Sequence, residues 1–139
     1  MNDTQSPTVP KPPFSNANSS DRAVFKIGDL AREFGVTLRT LRFYEDRGLI
    51  SPDRAGTTRL YGPEDRERLR IALFCKRTGM SLGEIREVLE LKDQSNAGHD
   101  QSHKLRQLYV AQLAKLQEQH AETEAAIRDL ESKISSMDQ

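Results

Sequence analysis

Residues 103–136 contain neither proline nor glycine, and this uninterrupted run limits the folds open to the chain more than any other feature. Positions within it that step alternately by three and four residues form one helix seam: Leu113, Leu116, His120, Thr123, Ile127, Leu130, Ile134 and Met137. A seam sustained over several heptads is typical of a coiled coil. A helix of about 34 residues is roughly 50 Å long, much longer than the helices predicted before it. We therefore predict that residues 103–137 form a dimerisation helix that pairs with a second copy; the periodicity leaves parallel and antiparallel pairing open.

Three histidines raise metal and pH hypotheses. His99 and His103 are four residues apart, a spacing that lets two histidines on one helical turn share a metal ion. Gly98 and the polar residues after it instead predict a break at this point, so we expect no metal site and no cofactor. Two copies of His120 facing each other in the seam would repel when protonated, which makes a pH switch the minor alternative there.

Composition narrows the class of protein further. Residues 1–23 hold four of the six prolines and too little apolar surface to offset the entropy of ordering, so they are predicted to be a disordered tail. No stretch approaches the 18 or so apolar residues of a membrane span, and no basic-then-apolar leader begins the chain, so we expect a cytoplasmic protein with no membrane attachment. The single cysteine, Cys75, excludes an internal disulfide, and its apolar neighbours predict a buried core thiol.

The formal net charge of zero hides an uneven distribution. Residues 22–79 hold 13 Lys and Arg against 8 Asp and Glu, a balance of +5, whereas residues 80–139 hold 7 against 11, a balance of −4. A basic first half joined to an acidic second half indicates an anion-binding module with a separate partner region. Nucleic acid is the simplest anion to propose, although chance imbalance in a small domain would look the same.

Two short helices joined by a tight turn are predicted after the tail. The first has one apolar face, formed by residues three or four positions apart: Ile27, Leu30, Ala31 and Phe34. Gly35 suits the end of this helix, and Thr37 suits the N-cap of a second helix that runs to Arg47, just before Gly48. This pattern is a helix-turn-helix signature, and it also fits any helical hairpin.

Residues 49–62 predict a small β-hairpin directly after these helices. Asp53–Arg54 and Thr58–Tyr61 have the composition of two short strands, closed by a turn at Ala55–Thr57. A hairpin this small is stable only when it packs against helices. A hairpin that follows a helix-turn-helix is the layout of a winged DNA-binding domain.

Two further helices are predicted before the long one. Pro63 begins the first and Gly79 ends it, and Ser81 with Glu84 forms an S-x-x-E capping box at the start of the second. The predicted organisation is mainly α: a winged helix-turn-helix domain at residues 24–93, a linker at 94–102 and the coiled-coil helix at 103–137.

These segments closely resemble the mercury-resistance regulator (MerR) family of bacterial transcription factors. The resemblance lies in IGDLAREFGVTLRTLRFYEDRGLI, the later R-L-Y triplet and LRIALFCKRTGMSLGEIREVL, and it covers roughly residues 25–137. It implies an antiparallel coiled-coil homodimer on a two-fold symmetric operator of double-stranded DNA. It also implies that the protein bends and untwists a long promoter spacer so that RNA polymerase can engage the promoter.

The resemblance also implies roles for individual residues. In and beside the recognition helix, the residues expected at the DNA are Thr37, Arg39, Thr40, Arg42, Phe43 and Tyr44. In the hairpin wing they are Arg54, Arg59 and Tyr61, and in a second wing they are Lys76 and Arg77. The alternative for each arginine is a solvated surface charge, and Leu30, Phe34 and Leu41 are expected in the core.

The sequence allows two other functions to be considered. An enzyme would need paired carboxylates, an activated nucleophile or a glycine-rich phosphate loop; the acidic residues instead follow helix-exterior spacing, so we expect no enzyme. An architectural or co-regulatory DNA-binding protein, whose coiled coil recruits other proteins, is the second alternative. The cysteines of metal- and redox-sensing members are missing here, and nothing after Met137 would build a drug-binding domain, so the sequence contains none of these sensors and leaves the question of an effector open.

Overall fold

The computed structural model describes residues 24–139, so the predicted disordered tail lies outside the described residues. The elements in chain order are β1 (Phe25–Lys26), α1 (Ile27–Phe34), α2 (Leu38–Asp46), β2 (Asp53–Ala55), β3 (Thr58–Tyr61), α3 (Pro63–Arg77), α4 (Leu82–Asn96) and α5 (Ser102–Met137). The mainly helical class, with a small sheet and a long final helix, is confirmed. Packing divides the chain within α3 into one unit that ends at Leu73 and another that runs from Phe74 to Gln139. The domain boundaries given above divide the chain by role and stay a prediction.

The first unit begins with the predicted helix-turn-helix. Gly35 has a φ of 67°, the left-handed conformation that glycine adopts at a helix end without strain. The side chain of Thr37 accepts a hydrogen bond of 3.1 Å from the Thr40 amide, which caps α2 as predicted. Leu30 and Leu41 are fully buried, as expected of core residues, whereas Phe34 is only half-buried.

Strands β2 and β3 form the predicted antiparallel hairpin, with one change at the turn. Ala55 pairs with Thr58, so the turn contains only Gly56 and Thr57 and not the three residues predicted. Gly56 has a φ of 68°, a positive value that two-residue hairpin turns require. A third strand, β1, pairs with β3 and was not predicted, because two residues are too few to show a strand period.

Polar contacts join the N-terminal part of α3 to the rest of this unit. Arg66 pairs with Glu33 of α1, and the Arg68 Nε donates a hydrogen bond of 2.7 Å to the Leu49 carbonyl oxygen. The Ser51 amide donates to a carboxylate oxygen of Asp65 at 3.0 Å. These contacts hold the segment between α2 and β2 against α3. Leu49 and Ile50 of this segment are buried, as is Leu69 of α3.

In the second unit, α4 begins with the predicted capping box. The Glu84 amide donates to Ser81 Oγ at 3.1 Å, and the Ser81 amide donates to Glu84 Oε1 at 2.8 Å. Helix α4 continues to Asn96, so the break before α5 is shorter than the predicted linker and covers residues 97–101. His99 lies in this break and His103 in the first turn of α5, so the two histidines do not share a helical turn.

Helix α5 has a buried face near its start. Gln112 is buried, and its Nε2 donates a hydrogen bond of 2.7 Å to the Thr78 carbonyl oxygen. The turn that receives this bond contains Gly79, where a Cβ atom would lie 3.3 Å from Gln112 Nε2. Because Gly79 also has a φ of 87°, both its backbone conformation and this close approach favour glycine. The start of α5 is therefore anchored to the turn before α4.

Beyond Gln112, the long helix exposes its apolar positions. All eight predicted seam residues, from Leu113 to Met137, are exposed in the single chain. The exposed fraction of the large apolar side chains in the seam lies between 37% at Leu116 and 75% at Met137. Helix α5 thus packs within its own chain up to Gln112 and exposes the seam from Leu113 onward.

Cys75 is buried in the second unit, which confirms the predicted core thiol. Burial raises the pKa of its thiol, and a hydrogen bond to Tyr109 partly opposes that rise. Burial, together with Cys75, raises the pKa of the Tyr109 hydroxyl to about 12. The pair therefore stays protonated at neutral pH.

Candidate nucleic-acid interface

Helix α2 presents two arginines on its exposed face. Arg39 and Arg42 lie three residues apart and both are exposed. Neither one forms a hydrogen bond or an ion pair with any residue in the described range, 24–139. Because the Thr37 cap and the buried Leu41 hold the helix in place, these two guanidinium groups are free donors on a fixed support.

The other predicted residues at this surface are Thr37, Thr40 and Phe43. The two threonine hydroxyls lie 3.1 Å apart at the start of α2. Phe43 is 42% exposed, and the Arg47 guanidinium lies 4.7 Å from the centroid of its ring. The N-cap and the exposed side of α2 thus combine cationic, hydroxyl and aromatic groups.

The burial of two tyrosines argues against the DNA contacts predicted for them. Tyr44 is 4% exposed and Tyr61 is fully buried. Tyr44 extends the apolar face that Leu41 begins, and Tyr61 stands opposite Phe25 in the β1–β3 pair. The Tyr61 hydroxyl has no hydrogen-bond partner among the described residues, and burial raises its pKa. Both tyrosines are core residues of the first unit.

The two hairpin arginines share one carboxylate of α2. Arg59 Nε donates to Glu45 Oε1 at 2.6 Å, and Arg54 Nη2 lies 3.4 Å from Glu45 Oε2. The hydrogen bond to Glu45 raises the pKa of the Arg59 guanidinium. Although such partly exposed pairs add little stability, this one sets the position of the hairpin arginines relative to α2. The sequence reasoning missed Glu45, since a glutamate on a helix exterior usually faces solvent.

One open depression brings Arg42 and Arg59 together. It has a volume of about 410 Å³ and is lined by Lys26, Ile27, Gly28, Asp29, Arg32, Arg42, Thr57, Thr58 and Arg59. Four of these residues are cationic and one is anionic. The depression therefore joins the start of α1, the exposed face of α2 and the hairpin turn in one electropositive surface.

The predicted second-wing residues lie in the second unit. Lys76 and Arg77 are exposed near the C-terminal end of α3. The Arg77 guanidinium lies 5.7 Å from the centroid of the Phe74 ring, a cation–π contact. Their role at DNA stays a prediction.

Comparison with known proteins decides the family. Residues 25–92 match the MerR HTH family regulatory proteins, and residues 66–133 match the family described as MerR, DNA binding. The chain is 30% identical over 116 residues to the HTH-type transcriptional regulator ZntR homolog of Haemophilus influenzae, an alignment that covers 82% of this chain and 86% of that protein. The chain belongs to the MerR family.

Other MerR-family proteins give the same result. The mercuric resistance operon regulatory protein of Pseudomonas fluorescens is 38% identical over 98 residues, which cover 66% of this chain and 68% of that one. Among solved structures, HiNmlR, a MerR family regulator lacking the sensor domain and bound to promoter DNA, is similar with a TM-score of 0.58 at 26% identity, over 75% of this chain and 78% of that chain. PbrR691 from Ralstonia metallidurans CH34, in complex with lead(II), is similar with a TM-score of 0.61 at 30% identity, over 76% and 82%.

The protein is therefore a DNA-binding transcriptional regulator of the winged helix-turn-helix class and not an enzyme. Within residues 24–139, no helix is long and apolar enough to cross a membrane. The same residues contain no group of three or more His, Cys, Asp and Glu side chains placed to hold a metal ion.

Proposed function

We propose that this MerR-family regulator binds, as a homodimer, a promoter operator of two-fold symmetry, with α2 of each copy in the major groove. The observation that carries the proposal is the pair of exposed arginines on a capped helix, Arg39 and Arg42, which have no hydrogen-bond or ion-pair partner within residues 24–139. Guanine presents two acceptors in the major groove that match the arginine fork, whereas phosphate contacts fix position. Two copies related by a two-fold axis present two such helices, so the operator is expected to be an inverted repeat.

The exposed seam of α5 supports the homodimer. Large apolar side chains recur along it at heptad spacing, and no residue in the range 24–139 covers them. A long helix with a narrow apolar stripe gains most of its stability when that stripe is buried against a second helix. We propose the antiparallel arrangement that the family resemblance implies.

Control of transcription is proposed to act through the shape of the DNA. Bending and untwisting a promoter spacer costs free energy, which contacts at two half-sites can offset. A dimer that holds both half-sites would therefore realign the promoter elements for RNA polymerase. The site of action is expected to be the cytoplasm, where promoter DNA and polymerase meet.

The decisive experiment begins with selection of genomic DNA fragments by the purified full-length chain. We expect fragments that share an inverted repeat within one promoter spacer, a dimer on each fragment and an altered transcript level in a purified polymerase reaction. Permuted fragments in gel electrophoresis should show a bend at the repeat. Weak binding without sequence preference, and no effect on transcription, would instead indicate the architectural role.

A further inference from the structure

We infer that the depression between the start of α1, the face of α2 and the hairpin turn binds one phosphate group of the DNA backbone, and that Glu45 positions Arg59 for this contact. The inference rests on the proposed binding of DNA. It adds Lys26, Arg32 and Glu45, which the sequence did not single out.

The charge of the depression is the first argument. Lys26, Arg32, Arg42 and Arg59 come from four different parts of the first unit, and Asp29 is the one carboxylate that lines the same surface. Both oxygens of Asp29 are already engaged, because Oδ2 accepts from the Lys26 amide at 2.9 Å and Oδ1 accepts from Arg32 Nη2 at 2.8 Å. Four cationic side chains against one carboxylate leave the lining of the depression positive, and a positive concave surface attracts an anion.

The free donors are the second argument. Arg42 has no partner in the described part of the chain, and Arg59 bonds Glu45 through Nε, which leaves its two terminal amino groups unbonded within residues 24–139. Thr57 in the hairpin turn and Thr58 at the start of β3 also line the depression and carry hydroxyl groups. Arginine, lysine and threonine are the side chains from which backbone phosphates accept hydrogen bonds.

The neighbourhood identifies the source of the phosphate. Arg42 lines the depression and also lies on the same helix face as Arg39, the face that is proposed to enter the major groove. Backbone phosphates border that groove on both sides, so a helix placed there brings a phosphate to the adjoining depression. A phosphodiester of the operator is therefore the expected occupant, and a free phosphate ion is the other source that the test separates.

Glu45 acts through Arg59 and is a positioning residue. A long arginine side chain loses rotamer freedom when it is fixed on a ligand. Since the 2.6 Å hydrogen bond to Glu45 already fixes Nε, the unbound protein holds the Arg59 fork close to its bound position. The Glu45 carboxylate is negative, so by its charge alone it would weaken the binding of DNA. A contribution of Glu45 that strengthens binding must therefore act through Arg59.

The first test measures operator affinity against salt concentration for the full-length chain and for Lys26→Gln and Arg32→Gln. Each variant is expected to bind about 5- to 50-fold more weakly, to lower the slope of log affinity against log salt by about one and to keep the same base preference. Arg106→Gln removes an exposed arginine of α5, outside the depression, as the matched control. Unchanged affinity and slope, or an altered base preference, would overturn the inference.

The second test compares two neighbouring carboxylates of α2. If only net charge mattered, Glu45→Gln and Asp46→Asn would both tighten DNA binding. We expect Asp46→Asn to bind as well as the parent or better, and Glu45→Gln to bind about fivefold more weakly, with no further loss when Arg59→Gln is already present. Tighter binding by Glu45→Gln, or a loss that merely follows a lower urea midpoint of unfolding, would contradict the positioning role.

A third experiment distinguishes an operator phosphate from a free phosphate ion. It also distinguishes failure of the phosphate site from failure of the proposed function. Replacing one phosphate at a time in the operator by neutral methylphosphonate should identify a position at which Arg32→Gln causes no further loss. Competition by millimolar inorganic phosphate, with no such position, would indicate a free anion instead. If the parent protein fails to select any operator, the proposed function fails; if it binds but Lys26→Gln and Arg32→Gln match Arg106→Gln, only the phosphate site fails.

Discussion

Helix α2 and the later part of helix α5 both expose many side chains, but only α2 also has a buried face. Leu41 and Tyr44 bury one side of α2 within the first unit, and the opposite side exposes Arg39 and Arg42. From Leu113 onward, every residue of α5 is exposed. Exposed arginines on a helix with a packed face mark a surface for a polar ligand, whereas exposed leucines at heptad spacing mark a missing protein partner.

The two helices should also differ in how their stability depends on protein concentration. The burial of Leu41 takes place within one chain, so its contribution to the free energy of unfolding does not depend on protein concentration. Burial of the seam would need a second chain, so the stability of α5 would rise with concentration. Three variants test this contrast and the surface of α2, and a fourth tests the cap of α4.

Ile127→Asp combined with Leu130→Asp should cause the largest change. Two carboxylates in the seam would leave the chain monomeric at micromolar concentration, and operator affinity should fall by about 100- to 10,000-fold because two half-sites are no longer engaged together. Sedimentation velocity and fluorescence anisotropy measure the two effects. Ala125→Asp with Ser132→Asp adds the same charges outside the seam and should leave the dimer intact. A dimer that survives the seam substitutions would show that the interface lies elsewhere.

Leu41→Ala should destabilise the protein by about 2–5 kcal/mol, because it removes a fully buried side chain and leaves a cavity. Urea unfolding followed by circular dichroism should give the same loss at every protein concentration. Leu130→Ala serves as the contrast, since its cost should depend on concentration through the dimer. Equal and concentration-independent losses for both variants would remove the distinction between the two helices.

Arg42→Ala should weaken operator binding by about 1–3 kcal/mol without a change in the free energy of unfolding, because Arg42 is exposed and forms no hydrogen bond or ion pair with residues 24–139. Loss of discrimination at one base pair would indicate a base-edge contact, and a shallower salt dependence a phosphate contact. Arg128→Ala, an exposed arginine of α5, is the control. Unchanged affinity would exclude Arg42 from the contact surface.

Ser81→Ala should have the smallest effect, a loss of about 1 kcal/mol in the free energy of unfolding at pH 7. The hydrogen bond from the Ser81 amide lowers the pKa of Glu84 below its ordinary value of 4.5. The contribution of Glu84 is therefore complete above pH 4.5 and is lost as the pH falls through the lowered pKa. Urea titrations measure the free energy of unfolding at pH 7 and at pH 3. The difference between these two values should be smaller for Glu84→Gln than for the parent, and an equal difference would contradict the prediction.

Local signals were enough to predict the helices and the hairpin. Gly35, Thr37 and the Ser81–Glu84 box act within one turn of backbone, so their effects can be read from neighbouring residues. Strand β1 could not be predicted, because Phe25 and Lys26 are extended only by pairing with β3, more than 30 residues away.

The surface was harder to predict because side-chain direction depends on tertiary contacts. Tyr44 and Tyr61 look like wing and groove residues in the sequence, yet both complete the core. Glu45 looks like a solvated charge, yet it bonds arginines 9 and 14 residues further along. Lys26 of β1 and Arg32 in the last turn of α1 line the cationic depression together with residues of the hairpin that are distant in the sequence.

The burial of Cys75 makes the natural chain a convenient host for spectroscopic labels. Its thiol is the single one in the sequence, and maleimides and spin-label reagents react with the thiolate, which burial and the raised pKa disfavour. A cysteine introduced at an exposed hairpin position such as Ala55 can thus be labelled selectively without removal of the native residue. Pulsed electron resonance between two such labels would then measure how far apart two hairpins stand, with and without a duplex.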